Sequence, residues 1–123
     1  MDLLNRTQPT ETHERPWGSE LWFVQNSVCT VKILIVKPGQ ILSDQRHQQR
    51  SELWFHLNDG ATVNINGVES EPAKNTETWI PQGTWHRLGA KADAPEPVRV
   101  LEIMFGQFDQ NDIERRSDKY GRV

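Results

Sequence analysis

Four side chains combine the types and spacing that metal chemistry needs. Gln45, His47 and Glu52 fall within one polar run, Gly39 to Glu52, that reads G-x5-Q-x-H-x4-E, and His86 closes a later stretch, Pro81-Gln82-Gly83-Thr84-Trp85-His86. In an extended strand residues i and i+2 share a face, so Gln45 and His47 point the same way. A turn around Arg50-Ser51 brings Glu52 back on a neighbouring strand, and His86 enters from a third after a Pro-x-Gly turn. Two imidazoles, one carboxylate and one amide oxygen suit a borderline divalent ion, with Zn²⁺ foremost and Mn²⁺, Fe²⁺, Co²⁺ or Ni²⁺ also compatible. Either histidine alone is more often a hydrogen-bonded structural residue, and Gln45, Gln48 and Gln49 also fit a solvated turn. The joint spacing of the two motifs favours the metal.

The elements that must position these residues are strands. Residues 28–36 form a run rich in β-branched side chains, too short for a helix, and residues 98–105 repeat the pattern. Shorter strands are expected at 20–25, 41–49, 52–57, 61–65, 77–80 and 84–88. Asn58-Asp59-Gly60 and Asn66-Gly67 are hairpin signals. Residues 109–116 have weak helical character, with Asp109 or Asn111 as N-cap. Many short strands with turns about every ten residues read as an all-β barrel or jelly roll with a short C-terminal helix.

Length and charge narrow the functional classes. A chain of 123 residues is one domain by the usual prior, 1–123, here with a polar N-terminal arm at 1–13. Net charge is −3 with no basic run, which argues against nucleic acid. A single cysteine, Cys29, excludes an internal disulfide. No signal peptide or membrane span is apparent, so a cytoplasmic setting is expected.

The two motifs resemble the cupin pair, in which His and Glu side chains bind a metal inside a small β-barrel (a double-stranded β-helix). Gln45, where most cupins carry their first His, resembles the phosphomannose isomerase branch. Glu14-Arg15-Pro16-Trp17-Gly18 resembles the opening of the cupin-type (type II) mannose-6-phosphate isomerase domain, and Asp112-Ile113-x-Arg115 with Asp118-x-Tyr120-Gly121-Arg122 resembles its ending. The family's larger members carry this domain behind a nucleotidyltransferase that makes GDP-mannose, and the expectation here is a stand-alone unit. The chain departs from the family pattern at Gln48, Gln49 and Leu53, beside the ligands in sequence.

The resemblance implies a metal-dependent sugar-phosphate isomerase that interconverts mannose 6-phosphate and fructose 6-phosphate through an enediolate, in carbohydrate and polysaccharide biosynthesis. The alternatives are an isomerase for another sugar phosphate and a non-catalytic cupin that binds metal and sugar phosphate. It also implies Gln45, His47, Glu52 and His86 as metal ligands, and Arg50, Arg115 and Arg122 on the phosphate. Glu102 and Arg87 are expected at the reacting centre. Glu102 lies mid-strand among apolar residues, and its pattern leaves open whether it turns inward, where burial would raise its pKa, or outward to a cation. A homodimer is the expected assembly.

Overall fold

The computed structural model describes residues 11–122, in eleven strands. β1 (Glu11–Arg15) and β2 (Gly18–Trp22) form a hairpin of their own. Its strand β1 takes in Glu11, Thr12 and His13 of the expected arm. The remainder of that arm lies outside the described residues.

Two sheets then pack face to face. One runs β3 (Cys29–Val36), β10 (Val98–Gly106), β5 (Arg50–His56) and β8 (Glu77–Ile80). The other runs β11 (Glu114–Ser117), β4 (Asp44–Arg46), β9 (His86–Ala90), β6 (Ala61–Ile65) and β7 (Val68–Ser70). Neighbours in both sheets are antiparallel. The Asn66-Gly67 turn that joins β6 to β7 has both residues at positive φ, 49° and 87°, as a type I′ hairpin demands.

Alternation builds the core. Val36, Trp54, Val98, Val100 and Ile80 of the first sheet meet Ala61, Val63, Leu88 and Ala90 of the second. The first sheet is also covered outside: Leu53, Ile103 and Phe105 are buried beneath Phe23, Val24 and Trp79. Strand β5 is therefore buried on both faces, although only Leu53, Trp54 and Phe55 of its seven residues are apolar.

No helix occurs among the described residues, and none is long and apolar enough to cross a membrane. The expected C-terminal helix is thus corrected to a turn followed by β11. Asp109 does cap, but only one turn: its side chain accepts from the Asn111 N–H at 2.9 Å and its carbonyl from the Asp112 N–H at 3.0 Å. Beyond it the chain extends, and β11 pairs with β4.

His56 illustrates what the core imposes. It is fully buried, bonds Thr78 Oγ1 through Nε2 at 2.8 Å, and has no partner for Nδ1 among the described residues. Burial pushes its pKa down to about 4. The unfolded chain keeps a pKa near 6.5, so the folding stability is whole above that pH and falls as pH drops toward 4. Between pH 7.5 and pH 5 the protein should lose up to about 2 kcal/mol on this account. Urea unfolding at the two pH values should show that loss in the wild type and a flatter response in His56→Gln. Equal responses would refute the assignment.

Candidate metal centre

Three strands deliver the donors. His47 follows β4, Glu52 lies on the inner face of β5 with Trp54 and His56, and His86 begins β9. All three are at least 97 % buried. The register sets Gln45 of β4 opposite His86 of β9, so the Gln-x-His pair and the later histidine meet by strand pairing. Gly83, at φ 77°, turns the chain into β9 and donates its N–H to the His47 carbonyl at 2.8 Å. That bond ties the second motif to the first.

The two imidazoles are oriented by their outer nitrogens. His47 donates from Nδ1 to the Asp112 carbonyl at 2.7 Å, and His86 from Nδ1 to the Thr84 carbonyl at 2.9 Å. A carbonyl can only accept, so each Nδ1 carries hydrogen and each Nε2 can present its lone pair inward. The His47 Nε2 lies 3.2 Å from Glu52 Oε1, and His86 Nε2 lies 3.6 Å from Glu52 Oε2. With the imidazoles neutral, these are lone pairs facing lone pairs, and the Arg50 guanidinium bridges two of them, 3.2 Å from His47 Nε2 and 3.3 Å from Glu52 Oε1; a shared metal ion would satisfy the same set. Donors about 2.1 Å from one ion stand roughly 3.0–3.4 Å apart at octahedral or tetrahedral angles. The ligand atoms of all three residues fall within 4.8 Å of one another, so the set fits a divalent metal. Trp54 meets the His86 ring edge-on at 5.5 Å and buttresses it.

Burial alone would raise the Glu52 carboxyl, but His47 and His86, in the protonated form that a metal would displace, hold it low. His86 is lowered, chiefly by burial, which keeps the ring neutral as a ligand must be. Glu102 is 95 % buried and faces the same interior, which decides its orientation. Burial first, and the Glu52 charge second, raise its pKa.

Gln45, His47, Glu52, His86 and Glu102 line one cavity of about 90 Å³, together with Lys32, Leu34, Leu42, Arg50 and Trp54. A second cavity, of about 490 Å³, shares Lys32, Leu42, Gln45 and Arg50 with it and adds Arg115, Arg122, Phe108 and the amides of Gln110 and Asn111. Four cationic side chains line this outer space and no carboxylate does. The structure thus brings the expected Arg50, Arg115 and Arg122 together above the expected ligands. Arg87 is not brought there: its Nε donates to the Leu42 carbonyl at 2.7 Å, and it lines neither cavity. Gln48, Gln49 and Leu53 line neither cavity either, and Leu53 is packed in the outer apolar cluster. Sequence reading misses Lys32 and Asp112. Lys32 breaks the apolar run of β3 as Glu102 breaks that of β10, and the two sit opposite each other in register, which is the signal that could have found it.

Residues 4–118 match the family described as mannose-6-phosphate isomerase C-terminal. The chain belongs to this family. Among curated relatives, the family domain is 34% identical over 89% of its length to the mannose-1-phosphate guanylyltransferase ManC of Salmonella typhimurium, of which it spans 22%. It is 35% identical over its whole length to the alginate biosynthesis protein AlgA of Pseudomonas aeruginosa, spanning 26% of it. It therefore corresponds to about a quarter of these relatives. Among solved structures, the capsular polysaccharide assembling protein CapF from Staphylococcus aureus aligns over 89% of this chain and 34% of its own, at 18% identity and a TM-score of 0.64. A cupin-2 domain from Rhodospirillum rubrum aligns over 77% and 62%, at 22% identity and a TM-score of 0.63. These likenesses establish the cupin fold. The expectation of an aldose–ketose isomerase is corrected: the relatives that carry an activity in their names are named mannose-1-phosphate guanylyltransferases, not isomerases.

Proposed function

We propose that this domain is a binding module for a divalent metal ion and a phosphorylated sugar, serving polysaccharide biosynthesis as its relatives' names suggest. The carrying observation is the wall two spaces share: Lys32, Leu42, Gln45 and Arg50 line both the cavity of the buried His47–Glu52–His86 donor set and a groove lined by cations. His47, Glu52 and His86 would hold the metal with Gln45 as the fourth donor, and zinc suits this mixed nitrogen and oxygen set. When bound, the metal acts as a Lewis acid toward a ligand oxygen. The arginines supply planar donor forks for phosphate oxygens, and Phe108 forms an apolar wall beneath Arg50 at 5.0 Å.

Calorimetric titration of the zinc-reconstituted protein tests this. One zinc per chain is expected, with mannose 6-phosphate bound at least about tenfold tighter than mannose, since even one charge-assisted bond contributes that much. The preference should weaken with added salt. Equal affinity for the two sugars, or no metal retained, would sink the reading. Fructose 6-phosphate appearing in a coupled assay would overturn its non-catalytic part.

A further inference from the structure

The four cations of the outer groove are not equivalent. Arg50 is already engaged: its Nε donates to Glu52 Oε1 at 3.3 Å, its second terminal nitrogen lies 3.2 Å from His47 Nε2, and its first lies 3.4 Å from the Asp109 carbonyl. Arg122 is gripped by Asp118, at 2.7 Å from Nε and 3.2 Å from a terminal nitrogen, and that carboxylate is itself fully covered. Each of these two charges has its counter-charge. Lys32 and Arg115 have no ion pair among the described residues. The Arg115 Nε is moreover buried without a hydrogen-bond partner, and buried donors are seldom left so. Lys32 lines both cavities and rests beside the Phe108 ring, 5.5 Å from its centroid. Arg115 lines only the outer one, opposite Gln45 in the β11–β4 register.

Resting on the sugar-phosphate reading above, we infer that Lys32 and Arg115 form the phosphate seat, with Arg50 and Arg122 as its already neutralised flanks. Two uncompensated positive charges match one phosphate dianion. Arg115 brings to the groove a guanidinium with no ion pair of its own among the described residues. The seat then lies between β3 and β11. Its Lys32 side adjoins the metal cavity, so the sugar attached to the phosphate is directed toward the His47–Glu52–His86 donors. Both residues contact the ligand and act by binding, which separates them from Asp118, whose carboxylate holds Arg122 and the turn at Tyr120.

The test is calorimetric titration of mannose 6-phosphate into wild type, Lys32→Gln, Lys32→Arg, Arg115→Gln and Arg122→Gln, with mannose as the uncharged probe. Lys32→Gln and Arg115→Gln should each weaken mannose 6-phosphate about tenfold or more and leave mannose unchanged. Lys32→Arg should recover most of the affinity, and Arg122→Gln should cost less than about threefold. Lys32 is exposed, so its replacement leaves the fold intact, and an unchanged thermal midpoint confirms this. Lys32→Gln binding like wild type, or Arg122→Gln costing as much as Arg115→Gln, would overturn the seat while leaving sugar-phosphate binding standing. A wild type that binds neither mannose 6-phosphate nor inorganic phosphate would remove both the seat and the reading beneath it.

Discussion

Glu52→Gln should abolish divalent-metal binding and leave the barrel folded. Glu52 is the one donor that touches both others, at 3.2 Å from His47 and 3.6 Å from His86. Glutamine keeps its shape but removes the charge and offers one weak oxygen in place of two. Loss of a charged ligand from such a set should weaken zinc at least about 100-fold, given that a full set supplies on the order of 10 kcal/mol. Folding should survive, because taking a buried carboxylate out of the core removes a desolvation cost as well as its bonds to His47 and Arg50. The readout is metal content after zinc reconstitution, together with the thermal midpoint with and without zinc. Wild type should gain roughly 4 kcal/mol at a thousandfold excess of zinc over its dissociation constant, and Glu52→Gln no more than about 1.4 kcal/mol at the same zinc concentration. A variant that keeps one zinc per chain, with the same midpoint shift, would show that the metal sits elsewhere. Gln45→Ala should cost less, since a neutral amide oxygen is the weakest donor of the four.

Much of this centre is legible in the amino-acid sequence. The strand alternation, the Asn66-Gly67 hairpin and the spacing of His47, Glu52 and His86 are local signals, and the fold honours them. What is not legible depends on which side of a sheet is the inside. Period-two patterning shows that Glu102 shares a face with Val98, Val100 and Met104, but the first sheet buries apolar residues on both faces, so the pattern cannot choose between them. Lys32 is hidden for a different reason: a lone lysine on a strand such as β3, at the sheet's edge, reads as protection against edge pairing. Gln48 and Gln49 mislead because closeness in sequence is not closeness in space. Their backbone turns outward at the end of β4, and the Gln48 side chain bonds Glu114 at 3.1 Å on the exposed side.

The tail from Asp109 is misread on the same principle, and its actual role supports the second large effect. Asp112→Ala should lower zinc affinity about 10- to 100-fold, although Asp112 is no ligand. Its carboxylate accepts the N–H groups of Gln48 and Gln49, both at 2.9 Å, and its carbonyl accepts Nδ1–H of His47 at 2.7 Å. One residue of the C-terminal segment therefore clamps the turn that follows His47 and also fixes which nitrogen of His47 faces the cavity. The backbone carbonyl survives mutation to alanine, but the two bonds that hold it against the ring do not. Those bonds are charge-assisted and partly exposed, so their loss should cost about 2 kcal/mol of stability as well. Asp112→Asn, which keeps one acceptor oxygen, should fall between alanine and wild type in both properties. Zinc titration followed by urea unfolding of the metal-free variants separates the two contributions. If Asp112→Ala binds zinc as wild type does while losing stability, His47 is aimed by the barrel alone, and the C-terminal segment serves only to close it. If affinity and stability fall together, with asparagine in between, the ending of the chain is part of the metal centre, and the strand β11 that follows Asp112 and carries Arg115 couples the metal to the phosphate groove.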